Sequence, residues 1–256
     1  MLLVVGLLLG SVLTTVSTQL DARNLRDMQT QMDQIKDALI GYAQANGRLP
    51  CPADGTVATG TTGAGLELYT SPSCTSANNF GVLPWATLGV AEQDVWGRRF
   101  GYKVSTVFVD AISQSTWSTT VPAAQSPVCT PVPTPTLSTF ALCSLGGITV
   151  TTRTASNKTG TSVSNIPMVI ISYGKNGYGG YTSSGTQIAA PPAADVDETA
   201  NATATSWTFY SREISPQASS CSDTVANQNF CEFDDVIAYV PTNILVTRMV
   251  SAGKLP

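Results

Sequence analysis

The most reactive groups in this chain are its six cysteines, which fall as three near pairs: Cys51 and Cys74, Cys129 and Cys143, Cys221 and Cys231. No pair has the CxxC spacing of a zinc site. An even count in a polar, loop-rich chain points instead to disulfides made in an oxidising compartment. Six cysteines allow many connectivities; pairing in sequence order is the simplest, and buried reduced thiols are the alternative. The second candidate group is Asp234-Asp235. As an acid/base pair it lacks a further carboxylate at a readable spacing, so a solvated surface pair is expected. The third is Gly174-Lys175-Asn176-Gly177-Tyr178-Gly179-Gly180, whose glycines demand positive φ or close backbone approach. It is no phosphate loop, because Lys and Ser/Thr do not follow its last Gly. No G-x-S-x-G elbow occurs, and the chain has no histidine, which removes the commonest general base and metal ligand together. The inventory predicts no enzymatic activity and no organic cofactor.

The elements that must hold these groups start with one helix. The first sixteen residues are apolar and uncharged, and an amphipathic pattern follows without a break. Leu25, Met28, Met32, Ile35, Leu39 and Tyr42 recur at steps of three and four, the apolar seam of a packed helix. Asn46-Gly47 is a helix stop. Gly6 and Gly10 form a small-xxx-small site for helix packing. The expected organisation is residues 1–20 as an apolar helix suited to a membrane or to other copies of itself, 21–48 as its amphipathic continuation, and 49–256 as a disulfide-stapled, β-rich head. Such a helix is roughly 65–70 Å long, whereas a compact head of this size is about 40–45 Å across. One end must therefore project, and the projecting end is the apolar one, which needs lipid or other copies of itself. The apolar run is short for a bilayer and has no basic segment before it, so residues upstream of Met1 are expected.

Beyond the helix, the pattern predicts an α+β fold in which an antiparallel sheet packs on the amphipathic half of the helix. Residues 80–90 read as a packed turn or one-turn helix. Phe100, Tyr102 and Val104 alternate in a strand that runs on through Val107-Phe108-Val109. Residues 122–135 are Pro-rich loop, 147–153 a strand, and the β-branched run 166–173 a central strand. Residues 186–206 are low-complexity and acidic, the signature of mobile surface. Strands are expected at 207–212 and 233–240, and Pro241 opens a short terminal helix. Net charge −4 and a pI near 4.7 argue against a nucleic-acid surface.

The N-terminal run resembles the helix of type IV pilins and type II secretion pseudopilins. The stretch Val4-Val5-Gly6-Leu7-Leu8-Leu9-Gly10 is similar to the part of that helix that begins some way past the cleavage point of the family's leader. Neither the basic leader nor the family's early glutamate is in this chain, which points to a start placed downstream of the true one. Two further segments carry the likeness. Asp94-Val95-Trp96-Gly97-Arg98-Arg99-Phe100-Gly101-Tyr102 resembles the family's Asp-Pro-Trp-Gly motif, with Trp96, Gly97 and Tyr102 in matching places and Val95 for Pro. The glycine loop, with Gly174, Gly177 and Gly180, and Asp234-Asp235-Val236-Ile237 resemble the loop and the Asp-x-Asp-Ile that follow it.

The resemblance implies a structural subunit, of the minor kind, in a type IV pilus or a type II secretion pseudopilus. It would sit in the bacterial inner membrane by one pass, its head in the periplasm, or be incorporated in a filament. Its partners would be other pilin or pseudopilin subunits, the inner-membrane assembly platform and lipid. In many pseudopilins the loop binds calcium, which here would take oxygens from Asn176, Asp234 and Asp235, with Ser172 nearby. Lys175 stands where its ammonium would oppose a cation, and about fifty residues separate the glycines from the carboxylates. The alternative is a membrane-tethered periplasmic binding module or enzyme with an uncleaved signal anchor.

Overall fold

A computed structural model describes residues 2–71, 73–109 and 137–255, with side chains from Gln19 onward. Helix α1, Leu2–Asn46, is unbroken over 45 residues. It stops where Gly47 turns to φ +73° and its N–H closes on the Ala43 carbonyl at 2.8 Å. A Cβ there would lie 2.1 Å from the Leu137 carbonyl oxygen, so only glycine fits. Met28, Met32, Ile35, Leu39 and Ala43 form the buried face of α1, none more than 2% exposed. Leu25 is half-buried at the start of this face. Tyr42 departs from the expected seam, which passes through Ala43 instead. The Tyr42 ring is half-buried to one side, and its hydroxyl donates to Glu67 at 2.5 Å. The packing expected at Gly6 and Gly10 falls outside the described side chains. Among the described residues no helix is long and apolar enough to cross a membrane; the side chains of the apolar run expected to do so fall outside those described.

The face of α1 packs on a four-stranded antiparallel sheet of order β3-β4-β7-β9: β3 Phe80–Val82, β4 Gly101–Val104, β7 Met168–Ser172 and β9 Val236–Val240. Strand β7 is central and wholly buried, as its apolar run predicts. Met168 and Ile170 point to the helix side, among Tyr102, Val104 and Val240. Val169 and Ile171 point the other way, into a second core with Ile148, Val150, Ile166 and Phe209. That second core belongs to another sheet, β6-β5-β8, built from β5 Ile148–Thr154, β6 Asn157–Ile166 and β8 Thr208–Ser211. The fold is thus α+β in three layers: helix, sheet, sheet. Short elements complete it: the two-residue strands β1 Tyr69–Thr70 and β2 Ser73–Cys74, one-turn helix α2 Trp85–Leu88, α3 Val196–Ala202, and terminal helix α4 Thr242–Ser251.

Two expectations need correction, and two features were not foreseen. The antiparallel sheet expected on α1 is present, but a second sheet adds a parallel pair, β5 with β8, with Val150 opposite Phe209. Strand β4 does not run on through Val107-Phe108-Val109. Thr106–Phe108 is a 3₁₀ turn that drives these side chains into the end of the core, where the Phe108 and Phe140 rings lie 4.7 Å apart. Strand β6 was not legible at all. The acidic stretch 186–206 is not simply mobile surface, since it contains α3, with Asp195, Asp197, Glu198 and Asn201 buried.

Disulfides Cys51–Cys74 and Cys221–Cys231 form in sequence order. Cys143 is also disulfide-bonded. Cys129 and the Pro-rich residues 122–135 lie outside the described residues.

Candidate functional site

Two sequence motifs meet at the end of β7. Asp94 organises the first: its Oδ1 accepts the backbone N–H groups of Trp96 and Arg98, both at 2.9 Å, and Gly97 supplies the positive φ of +79° that the turn needs. Its Oδ2 accepts the Ser172 hydroxyl at 2.6 Å, tying the Trp96-Gly97 turn to the last residue of β7. Ser172 is therefore engaged with Asp94. Tyr102, fully buried on β4, donates to the Pro50 carbonyl at 3.2 Å and holds the strand to the chain leaving α1.

From Ser172 the chain enters the glycine loop. Gly174, at φ +58°, approaches so closely that a Cβ would sit 2.2 Å from Asp234 Oδ1. Gly177, at φ +71°, returns its N–H to the Tyr173 carbonyl at 2.9 Å. Gly180 packs flat on the Tyr173 ring, where a Cβ would come within 2.8 Å of it. These tight returns press the loop onto the segment preceding β9, so Asn176 reaches Asp234.

The expected solvated pair is a buried cluster. Carboxylate oxygens of Glu198, Asp234 and Asp235 lie within 4.8 Å of one another. Asp235 and Glu198 are almost wholly buried, and Asp234 is half-buried. Asp234 Oδ2 accepts the Asn176 N–H at 2.9 Å, and Glu198 Oε1 accepts the Asp234 N–H at 2.9 Å. The Asn176 side-chain amide donates to Glu198 Oε1 and Oε2 at 3.2 and 3.3 Å, while Asn201 donates to Asp235 at 2.9 Å. Asp234 Oδ1 is buried with no hydrogen-bond partner among the described residues. Burial, reinforced by like-charged neighbours, lifts all three acids: Asp234 to about 6, Glu198 to about 7, and Asp235 well above the usual carboxylate range.

No Lys or Arg forms an ion pair with these three among the described residues. Lys175, expected to oppose a cation here, is exposed and turned to α1, its Nζ 4.0 Å from Asp21 Oδ1. Three carboxylates this close must share protons or hold a cation. The donor set fits a calcium-type ion: all-oxygen, partly unclaimed, and facing a glycine that leaves room. Asn176 departs from the expected ligand set, because its side-chain oxygen accepts from the Tyr178 N–H at 3.0 Å and its amide nitrogen faces Glu198. Glu198, absent from the sequence reading, takes its place. A groove of about 400 Å³ lined by Leu25, Trp96, Lys175, Ile214, Pro216 and Asp234 lies beside the cluster.

Beside it lies a second set of buried charges that the sequence also hid. Asp197 pairs with both Arg153 and Arg212, the latter at 3.0 Å, and Arg212 also pairs with Asp223 at 3.0 Å. Arg212 is stacked between Phe230 and Phe233, each ring centroid 4.4 Å away, and Arg153 lies over Tyr210 at 4.1 Å. A third grouping, Asp195 with Cys221 and Cys231, offers no thiolate to a metal while the sulfurs are bonded to each other. No family model, no curated protein and no solved structure matches this chain.

Proposed function

We propose that the chain is a pilin-like structural subunit, of the minor kind, of a type IV pilus or type II secretion pseudopilus. The observation that carries this is α1. Forty-five residues of continuous helix extend about 68 Å, and the face it buries against the head among the described side chains runs only from Leu25 to Ala43. The apolar N-terminal turns would lie in lipid or in a bundle of other copies. Moving them between the two is nearly neutral in transfer energy, because both surroundings are apolar. Assembly would be set by packing, with Gly6 and Gly10 as the close-approach positions. The head fits a passive role: disulfides staple its loops, and its carboxylate cluster would hold calcium as a structural cross-link between the glycine loop, α3 and β9.

The test is removal of detergent from the purified full chain in the presence of lipid vesicles. The wild-type chain is expected to partition into vesicles or to self-associate. A Leu8→Lys, Val12→Lys double variant is expected to remain monomeric in buffer with its disulfides intact. A wild-type chain that stays monomeric and lipid-free would overturn the proposal.

A further inference from the structure

At the start of α3 the fully buried Asp195 has no hydrogen-bond partner for either carboxylate oxygen among the described residues. Its neighbours Asp197 and Asp223 divide Arg153 and Arg212 between them. What Asp195 faces instead is a disulfide: one of its oxygens and the Sγ atoms of Cys221 and Cys231 lie within 4.8 Å of one another. A buried carboxyl gains almost nothing from a disulfide and is costly to leave unsatisfied. The situation reverses on reduction, because a thiol can donate to a carboxylate and accept a proton from a carboxylic acid. Thiols at Cys221 and Cys231 would offer Asp195 the donor and acceptor that the disulfide does not.

The two sulfurs are unequal. Cys231 is fully buried, whereas Cys221 is half-exposed and has the Gln217 amide 3.8 Å from its Sγ. An incoming thiolate reaches Cys221, and the charge it displaces appears on Cys231, inside the protein. The surroundings shift Asp195 toward its acid form: burial acts first, Asp223 and Glu232 add to it, and Arg212 offsets part. Glu198 is also within electrostatic reach.

We propose that Cys221–Cys231 is a redox-active disulfide, opened by an external dithiol, and that Asp195 is the acid that protonates the departing Cys231 sulfur. The dithiol thiolate attacks Cys221 Sγ and forms a mixed disulfide. The Sγ–Sγ bond breaks, its electron pair goes to Cys231, and the Asp195 proton follows. The second thiol of the reductant then attacks its own sulfur in the mixed disulfide, leaving as a cyclic disulfide and releasing Cys221 as a thiolate, which solvent protonates. Solvent also returns the proton to Asp195 through the Cys221 side. The protein gains two electrons and two protons, both supplied by the dithiol. Cys51–Cys74 is the internal control. The nearby Glu67 is fully engaged by Arg48, Tyr42 and the Cys51 N–H, and these hold its carboxyl below the usual range.

The experiment reduces the oxidised full chain with dithiothreitol across neutral pH, traps thiols by alkylation and maps each cysteine by peptide mass. Cys221–Cys231 is expected to open about tenfold or more faster than Cys51–Cys74, and Asp195→Asn to slow it by about tenfold or more. The variant should leave the Cys51–Cys74 rate unchanged, which also reports that it has folded. In the wild-type protein alone, the rate per dithiol thiolate should fall with rising pH at Cys221–Cys231 but not at Cys51–Cys74. Equal rates at the two disulfides, or a rate per thiolate independent of pH at both, would overturn the proposal, as would an Asp195→Asn protein that folds and reduces like wild type.

Discussion

Asp197 and Glu198 are consecutive residues of α3, both buried to within 1% of full enclosure, and they face opposite company. Asp197 turns to two guanidinium groups, whose own flat faces are covered by aromatic rings. Glu198 turns to two more carboxylates and to amide donors. Burial lifts Asp197 to about 6 even so, with Asp223 adding to the rise and both arginines pulling back, so it is ionised at neutral pH. Glu198, at about 7, is only half ionised there. Burial of charge therefore does not mark a site by itself. The Asp197 side is complete within the chain, and the Glu198 side is completed by something from outside, whether protons or a cation.

That contrast breaks most visibly at Arg212. Arg212→Met should cost about 3–5 kcal/mol in denaturant unfolding, because it leaves Asp197 and Asp223 short of a cation inside the head. A loss under about 1 kcal/mol would mean that Asp197 does not rely on its guanidinium partners. The Glu198 side should respond to calcium instead. At roughly a hundredfold excess over its dissociation constant, calcium should stabilise the wild-type head by about 2.7 kcal/mol, and Glu198→Gln should remove that gain.

With calcium chelated, the sign is set by protons. A carboxyl raised from 4.5 to about 7 on folding stabilises below 4.5, and that stability is lost as pH rises toward about 7. Asp234 adds a similar loss between 3.8 and about 6. Glu198→Gln should flatten the upper part of this slope. No calcium shift in the wild-type chain, together with a pH slope that the variant leaves unaltered, would erase the distinction between the two sides. The smallest effect belongs to Lys175→Ala: less than about 0.5 kcal/mol, as for an exposed pair, with the calcium shift intact. A larger calcium response in that variant would place the ammonium back among the carboxylates.

Much of the frame was legible in the sequence. The three-and-four spacing from Met28 to Leu39 locates the buried face of α1, and the β-branched run before Ser172 marks the central strand. The spacing misassigned Tyr42, because a tyrosine one position off the stripe can lie along it while its hydroxyl finds Glu67. The site was legible only in halves. Gly174 and Asp234-Asp235 stand out as residue types, but their partner Glu198 sits in a stretch whose Ala, Pro and acidic content resembles solvated chain. Its burial depends on Asn176, 22 positions away, and that of its neighbour Asp197 on Arg153 and Arg212, 44 and 15 positions away. Strand β6 was hidden because its exposed edge lets Thr, Ser and Asn replace the apolar alternation that marks half-buried strands. The parallel pairing of β5 with β8 follows a long crossover that carries no local signal.

The bond between Cys51 and Cys74 has a mechanical side. A pull along α1 reaches the head where the helix gives way to Leu49 and Cys51, and the covalent link 23 positions downstream keeps the intervening loop out of the line of tension. Roughly 80 Å of slack is thereby withheld, so a load on the rod is passed straight to the sheet rather than paid out as loose chain.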